Sequence, residues 1–249
     1  MNSRRAPTTT EDARGFPPVQ GLLFDMGDVL YDATVWRRWL LQLLHRMGLH
    51  TRYRSFFKIW DCDFLNDVHC GRREYREAFQ AFLMAAGLTR GQIDEVEAAS
   101  QARKRELEGK VRPFPGVCRV LGRLHSAGIV LGVLSDSECT AESLRARLAS
   151  LGIGQYLAAV VSSIDLQRTK PDPVCYRTAL AAMGLSAEQT AFVGHDAEEL
   201  AGARASGLRT LAFNFDAGAV ADRYLARFEE LLQYADRRAA RAPAKTGAI

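Results

Sequence analysis

The chain has 249 residues, 47% hydrophobic and 25% charged, which is typical of a globular protein of one or two domains and excludes a largely disordered one. No segment approaches the roughly 20 apolar residues of a membrane span, and no apolar run near the start suggests a signal peptide, so we expect a cytoplasmic protein without membrane partners. Residues 1–20 (+1) and 235–249 (+3) carry the whole net charge of +4, and the neutral body between them argues against nucleic-acid binding.

Short apolar runs alternate with helical patterns along most of the chain. The runs typical of buried strands lie at 21–25, 129–134, 158–162, 190–193 and 209–213, and helical patterns lie at 116–127 and at 174–184, the latter opened by Pro173. This alternation predicts an α/β fold with a Rossmann-like parallel sheet covered by helices on both faces. Ligands of such sheets bind at the carboxyl ends of the strands.

Residues 31–112 interrupt the alternation, because helical patterns follow one another there without a strand. Three patterns are apolar (Leu40, Leu43, Leu44, Met47; Phe56, Phe57, Ile59, Trp60; Tyr75, Ala78, Phe79, Phe82) and a fourth is the charged stretch 90–110. Aromatic residues at this spacing indicate a packed helical core more often than a binding surface. The two prolines of RPFPG (112–116) predict the return of the chain to the sheet.

The domain organisation follows from these patterns. We predict a flexible N-terminal tail at 1–19, a sheet core at 20–30 and 113–234, a helical insertion at 31–112 and a basic flexible C-terminal tail at 235–249. The five cysteines have scattered spacings and no CxxC pair, so they predict reduced thiols and neither a disulfide framework nor a zinc site.

Polar side chains follow the predicted strands where each strand ends. The first strand ends at Asp25, the second at Ser135, and the fourth runs into VGHDAEEL with Asp196 and Glu199, while Lys170 follows the third in RTKPDP. These are the groups that phosphoryl transfer needs: a carboxylate nucleophile, a hydroxyl and an ammonium for phosphate oxygens, and acids for a divalent cation. Taken singly, each has an ordinary explanation as a turn or surface residue.

The order of the four motifs FDMGDVL, VLSDS, KPDP and VGHDAEELAGA is specific. Together with a helical insertion after the first motif, this order resembles the haloacid dehalogenase-like (HAD) superfamily with a helical cap. The resemblance covers about residues 20–215. It implies that Asp25 attacks phosphorus to form an aspartyl phosphate, and that Ser135 and Lys170 bind the phosphoryl oxygens. It also implies Mg²⁺ as cofactor, held by Asp25, the carbonyl of Gly27 and an acid of the fourth motif.

The sequence departs from the family pattern in the first motif. The usual acid/base aspartate, two residues after the nucleophile, is replaced by Gly27, and an aspartate follows one place later at Asp28. Asp28 is either a displaced acid/base or a loop residue, and we favour the loop residue. The missing carboxyl weakens proton transfer to a poor leaving group.

Two further departures affect the second and fourth motifs. His195 stands directly after Gly194, where the family commonly has a metal-binding aspartate, and Asp196 comes next. Because Mg²⁺ prefers oxygen to imidazole, Asp196 is the predicted ligand, with Glu199 as a ligand or neighbouring acid. Asp136 replaces a common asparagine, and its carboxylate would repel a phosphate unless it is turned away or neutralised.

The resemblance therefore implies a Mg²⁺-dependent phosphatase of a small phosphorylated metabolite. A phosphomutase with the same intermediate, a metal-independent dehalogenase and a catalytically weak binding or regulatory homologue are the alternatives; the acidic cluster 196–199 speaks against the dehalogenase. The sequence does not name the substrate. Near the first motif, Tyr31, Asp32, Trp36, Arg37 and Arg38 either contact a ligand or simply pack.

Overall fold

A computed structural model describes residues 19–234, and within this range it leaves out the side chain of Glu108. The predicted flexible tails, 1–19 and 235–249, lie outside the described residues apart from Val19. No helix of residues 19–234 combines the length and the apolarity needed to cross a membrane.

Six parallel strands form one sheet in the order β3-β2-β1-β4-β5-β6. They are β1 (Gly21–Phe24), β2 (Val130–Ser135), β3 (Ala159–Ser162), β4 (Thr190–Gly194), β5 (Arg209–Phe213) and β6 (Arg223–Leu225). The five predicted strands are confirmed to within one residue at each end. The sixth, β6, was not predicted, because three residues are too short to show a strand period.

Ten α-helices lie among the described residues. They are α1 (Val35–Arg46), α2 (Tyr53–Ile59), α3 (Asn66–His69), α4 (Tyr75–Ala85), α5 (Arg90–Glu108), α6 (Val117–Ser126), α7 (Ala141–Ser150), α8 (Ser163–Leu166), α9 (Pro173–Met183) and α10 (Ala197–Ala205). A π-helical segment, Trp60–Leu65, continues α2 into α3. As predicted, Pro173 opens α9, where its missing N–H costs nothing, and the side chain of Asp172 accepts the N–H of Val174.

The sheet is covered on both faces. Alternate residues of β1 divide between two apolar clusters: Leu22 and Phe24 pack with α6 and α7, whereas Leu23 packs with α9 and α10. This division follows from the two-residue period of a strand, whose successive side chains point to opposite faces. The predicted α/β core with helices on both sides is thus confirmed.

The helices α1 to α5 lie between β1 and β2 and have an apolar cluster of their own. Trp60 lies at its centre, with its ring 5.1 Å from that of Phe82 and 5.7 Å from that of Phe79. The chain returns to the sheet at the predicted RPFPG stretch, where the N–H of Phe114 donates to the carbonyl of Leu30. The five helices of the insertion span residues 35–108, within the predicted bounds 31–112.

Candidate active site

The topology brings three strand ends together. β1 is central and pairs with β2 on one side and β4 on the other, all running in the same direction. Asp25 therefore follows β1 between Ser135, the last residue of β2, and His195, the first residue after β4. The strand order reverses at β1, because β2 and β3 extend the sheet on one side of it and β4 to β6 extend it on the other. Ligands of open α/β sheets bind in the crevice that such a reversal forms at the carboxyl ends of the strands.

Lys170 joins the buried carboxylate of Asp25 to the partly buried carboxylate of Glu199. Its Nζ lies 2.5 Å from Oδ1 of Asp25 and 3.0 Å from Oε1 of Glu199. Lys170 and Asp25 are each 6% exposed. An ammonium buried to this degree needs such partners, because leaving it unpaired away from water costs several kcal/mol.

The charges of this cluster shift its pKa values in a consistent way. Burial alone would lower the pKa of Lys170, but the carboxylates of Asp25, Glu199 and Asp136 outweigh burial and raise it well above its ordinary value. Burial, together with the negative charge of Asp25, raises the pKa of Glu199 well above its ordinary value. Lys170 therefore stays charged, while the site carries more carboxylate than this one cation neutralises.

Asp136 holds the backbone of Lys170. Its Oδ1 accepts the N–H of Lys170 at 3.1 Å, so this oxygen is engaged away from a bound phosphate. On the other side α10 presses against the next residue: a Cβ atom added to Gly202 would lie 2.5 Å from Cβ and 2.9 Å from Cα of Pro171. Only glycine permits that approach, which sets the position of the Lys170–Pro171 segment.

We expect Asp136→Asn to stabilise the protein at neutral pH. Burial raises the pKa of Asp136 from 3.8 to about 6, so the folded state loses stability as the pH rises from about 4 to 6 and the unfolded carboxyl ionises first. Asparagine keeps the acceptor for Lys170 but cannot ionise. A pKa rise of this size corresponds to about 3 kcal/mol, so the variant should gain up to that amount above pH 6 and nothing below pH 4.

Urea unfolding of both proteins between pH 4 and pH 8 measures this difference. Asp63→Asn, at an exposed position of the helical insertion, is the matched control and should stay within about 0.5 kcal/mol of the parent at every pH. A difference for Asp136→Asn that does not change with pH would contradict the expectation.

His195 lies next to the nucleophile candidate, and Asp196 caps a helix. Nε2 of His195 is 3.5 Å from Oδ2 of Asp25. Oδ1 of Asp196 accepts the N–H groups of Glu198 and Glu199 at 2.8 and 3.1 Å, so this carboxylate caps α10. One oxygen of Asp196, the predicted metal ligand, therefore has a structural role, and the imidazole of His195 lies beside Asp25.

Asp28 makes contacts within and beside the loop after β1. Asp28 has a left-handed backbone (φ 57°), and its Oδ1 accepts the N–H of Ala33 at 3.0 Å. Nδ2 of Asn214 donates to its carbonyl at 2.9 Å. These contacts are those of a loop-forming residue. At Gly27 an added Cβ would lie 3.1 Å from Cβ of Ala33, so an aspartate there would require the loop to shift.

The helical insertion contacts two of the loops that carry site residues. Oγ1 of Thr169, the neighbour of Lys170, donates to Oδ1 of Asn66 at 2.8 Å. Oγ of Ser163 donates to the carbonyl of His69 at 2.9 Å and accepts the N–H of Ser137, on the loop after Ser135, at 2.9 Å. The short helix α3 is therefore hydrogen-bonded to the core at its first and its last residue.

Two arginines considered as ligand contacts already have partners. Arg37 makes two hydrogen bonds to Asp61, at 2.7 and 2.6 Å, and its guanidinium lies over the ring of Phe57. Arg38 binds Asp32 at 2.6 Å. Both pairs hold the start of α1 in place.

The predicted magnesium ligands differ in how far their oxygens are already hydrogen-bonded. Among residues 19–234 no three acidic, histidine or cysteine side chains form a preassembled metal-binding group. Two observations nevertheless fit a divalent cation: Oε2 of Glu199 is buried without a hydrogen-bond partner in the described residues, and burial together with the charge of Asp25 raises the pKa of Glu199, an effect that a bound cation would oppose. Oxygen donors of this kind are those that Mg²⁺ prefers.

Some of these features were not accessible to sequence reasoning. The contact of His195 with Asp25 depends on β1 and β4 being neighbours, which the strand order alone reveals. The hydrogen bond from Lys170 to Asp136 joins residues 34 apart. The sequence does give a weak indication for His195. It directly follows a predicted strand, and residues that follow parallel strands lie at the edge where the neighbouring strands also end. All five cysteines are free, as predicted.

The sequence matches the family of haloacid dehalogenase-like hydrolases over residues 19–207. It is 31% identical over 139 residues to a phosphoglycolate phosphatase of Rhodospirillum rubrum, covering 53% of this chain and 56% of that protein. It is 32% identical over 101 residues to (S)-2-haloacid dehalogenase 4A of Burkholderia cepacia, covering 41% and 43%. The chain thus spans about half the length of the curated relatives it matches.

Solved structures share the fold. A Bacillus subtilis protein described as a HAD-hydrolase, bound to magnesium, superposes with a TM-score of 0.67 at 18% identity, covering 88% of this chain and all of that one. A 2-haloacid dehalogenase from Pseudomonas syringae gives 0.57 at 22% identity, covering 88% and 99%. At these identities the likeness speaks for the fold alone. Because the family match covers three quarters of the sequence and the four motifs converge on one sheet edge, the chain belongs to the haloacid dehalogenase-like hydrolases.

Proposed function

We propose that the protein is a phosphatase acting on a small phosphorylated metabolite, with Asp25 as nucleophile. A carboxylate oxygen of Asp25 attacks phosphorus, the bond from phosphorus to the ester oxygen breaks, and water then hydrolyses the aspartyl phosphate. Ser135 and Lys170 hold the phosphoryl oxygens and offset their charge. The observation that carries the proposal is the position of Asp25, which follows the central strand with its carboxylate held by the buried ammonium of Lys170.

Magnesium is the cofactor we propose, and the residues present fit it. Asp25, the carbonyl of Gly27, the second carboxylate oxygen of Asp196 and the unpaired Oε2 of Glu199 would hold the ion. When bound, Mg²⁺ offsets the repulsion between an anionic nucleophile and an anionic phosphate. His195, 3.5 Å from Asp25, would have to turn aside or share that oxygen with the ion.

The helical insertion would act as a cap over this site. We propose the boundaries predicted above, with the insertion at 31–112 and the core at 20–30 and 113–234, and a cytoplasmic location. The separate apolar cluster of the insertion supports its being a unit of its own. A cap of this kind excludes water during the reaction and selects the substrate.

A metal-independent dehalogenase is the second candidate, and His195 favours it. Nε2 of His195 lies 3.5 Å from Oδ2 of Asp25, and Mg²⁺ prefers oxygen ligands to imidazole nitrogen. The dehalogenase relative of Burkholderia cepacia matches at an identity similar to that of the phosphatases. In this reaction Asp25 would displace halide from carbon, and the unpaired Oε2 of Glu199 would have no ion to bind.

One panel of assays separates the two candidates. We expect phosphate release that requires Mg²⁺ and is lost with excess chelator, and no chloride release from 2-chloro acids. Because Gly27 supplies no carboxyl to protonate the leaving oxygen, aryl and acyl phosphates should be cleaved faster than alkyl phosphates. Chloride release without metal would establish the dehalogenase instead. Inactivity towards both substrate classes would argue for a binding or regulatory homologue.

A further inference from the structure

The segment after β5, residues 214–216, contacts two loops of the candidate active site. Nδ2 of Asn214 donates to the carbonyl of Asp28, in the loop after β1, at 2.9 Å. The N–H of Asp216 donates to the carbonyl of His195, in the loop after β4, at 3.0 Å. Because β4 lies between β1 and β5 in the sheet, the segment reaches past β4 to the end of the central strand. It therefore joins the loop of the nucleophile candidate to the loop of the fourth motif.

Both residues of the first hydrogen bond have a left-handed backbone. Asp28 (φ 57°) and Asn214 (φ 49°) are two of the three non-glycine residues with positive φ among residues 19–234. Asn and Asp adopt this region more readily than other residues with a side chain, but the conformation still has a free-energy cost. Such conformations persist only where surrounding contacts enforce them, and they cluster at functional sites. The hydrogen bond between the two residues is a contact of this kind.

Asn214 is exposed, but the two residues beside it are packed against the core. The ring of Phe213 lies 5.3 Å from that of Phe228, nearly perpendicular to it. The ring of Phe215 lies 5.0 Å from that of Tyr224 on β6. Aromatic contacts at these distances are favourable. They anchor the chain on either side of Asn214, so its amide is a fixed donor for the loop after β1.

We propose that Asn214 is a positioning residue for Asp25. It holds the carbonyl of Asp28, three residues after Asp25, while the N–H of Asp216 holds the carbonyl of His195. The loop of the nucleophile is thereby fixed relative to the loop after β4. Misplacing a reacting group by about 1 Å can cost about 10²-fold in rate. This role rests on Asp25 acting as the nucleophile, which the proposed phosphatase and the dehalogenase have in common, and none of the four motifs contains Asn214.

Asn214→Asp and Asn214→Gly test this role, because both remove the donor and both new residues accept a left-handed backbone. We expect each to lower kcat about tenfold with KM within about twofold of the parent value, since the nucleophile is displaced while the substrate contacts remain. Gln155→Ala is the matched control. It removes an exposed amide donor 2.9 Å from the carbonyl of Gly152, and it precedes β3, at the opposite edge of the sheet from the site. All three variants should shift the midpoint of urea unfolding by less than about 0.5 M, and only the control should keep the parent kcat.

The assay follows whichever product the parent protein releases, phosphate or halide, so failure of the proposed phosphatase function leaves the test intact. Equal kcat values for Asn214→Asp and Gln155→Ala would overturn the positioning role, and Asn214→Gly serves if Asn214→Asp does not fold.

Hydrogen–deuterium exchange decides for a protein that releases neither product. The N–H groups of Asp28 and Ala33 donate to the carbonyl of Tyr31 and to Oδ1 of Asp28. Both should exchange at least about fivefold faster in Asn214→Asp than in Gln155→Ala, because the loop loses its support. Equal exchange in the two variants would show that Asn214 does not hold this loop.

Discussion

Replacing Asp25 with asparagine should reduce phosphate release by about 10⁴-fold or more while the fold persists. The amide keeps the shape of the carboxylate but cannot form the covalent intermediate. The fold should survive because Lys170 retains the carboxylate of Glu199, 3.0 Å away, so its ammonium does not become unpaired. Steady-state kinetics on an aryl phosphate with Mg²⁺, together with urea unfolding, measures both quantities.

Asp28→Asn is the matched control on the same loop. Its side chain accepts a hydrogen bond from the N–H of Ala33, and an amide oxygen can accept the same bond. The loss should therefore stay below tenfold and be equal for aryl and alkyl esters. A loss of about 10² to 10⁴-fold confined to the alkyl ester would identify Asp28 as the acid that replaces Gly27. Full activity of Asp25→Asn would rule out the aspartyl-phosphate mechanism.

Lys170→Met should cost both activity and stability. Losing the charged contact to the phosphoryl group should raise the barrier by about 3 kcal/mol or more, which is 10²-fold or more in kcat/KM. The same change leaves the buried carboxylate of Asp25 and the partly buried one of Glu199 without their common cation. Breaking a buried pair in this way typically costs about 3 to 5 kcal/mol of unfolding free energy.

The two effects can be measured separately. Kinetics at low temperature without denaturant measures the activity of the folded molecules, and urea unfolding measures the free energy of unfolding. Lys110→Met removes an exposed lysine paired with Glu106 and should change neither by more than about 0.5 kcal/mol. Activity of Lys170→Met within threefold of the parent would show that Lys170 does not face the phosphate.

The fold was predictable because the apolar patterns of the sequence coincide with the strands and helices of the observed sheet. Leu22, Leu23 and Phe24 form a continuous apolar run, and a strand buried on both faces requires such a run. Pro173 marked the start of α9 because its fixed backbone angle suits the first turn of a helix. β6 was missed because its pairing with β5 comes from tertiary packing and has little local signal.

The site was predictable in its members and less so in their partners. The motif order located Asp25, Ser135 and Lys170 at one edge, and strand ends 1, 2 and 4 do converge there. The motif order could not show that Asp136 accepts a hydrogen bond from the backbone of Lys170, or that one oxygen of Asp196 caps the N-terminus of α10. Those choices depend on side-chain direction, which spacing along a chain does not specify.

The two hydrogen bonds that join α3 to the core have a consequence for the cycle of the enzyme. Asn66 binds the neighbour of Lys170, and the Ser163 hydroxyl that binds His69 also binds the loop after Ser135. Each bond exchanged for water costs about 0.5 to 1.5 kcal/mol net. Any movement of α3 away from the core must therefore break both bonds, one beside Lys170 and one at the serine that also holds the loop after Ser135. Opening the site to a new substrate would then loosen the contacts that position both phosphate-binding segments, and the rate of this opening would limit how quickly product leaves.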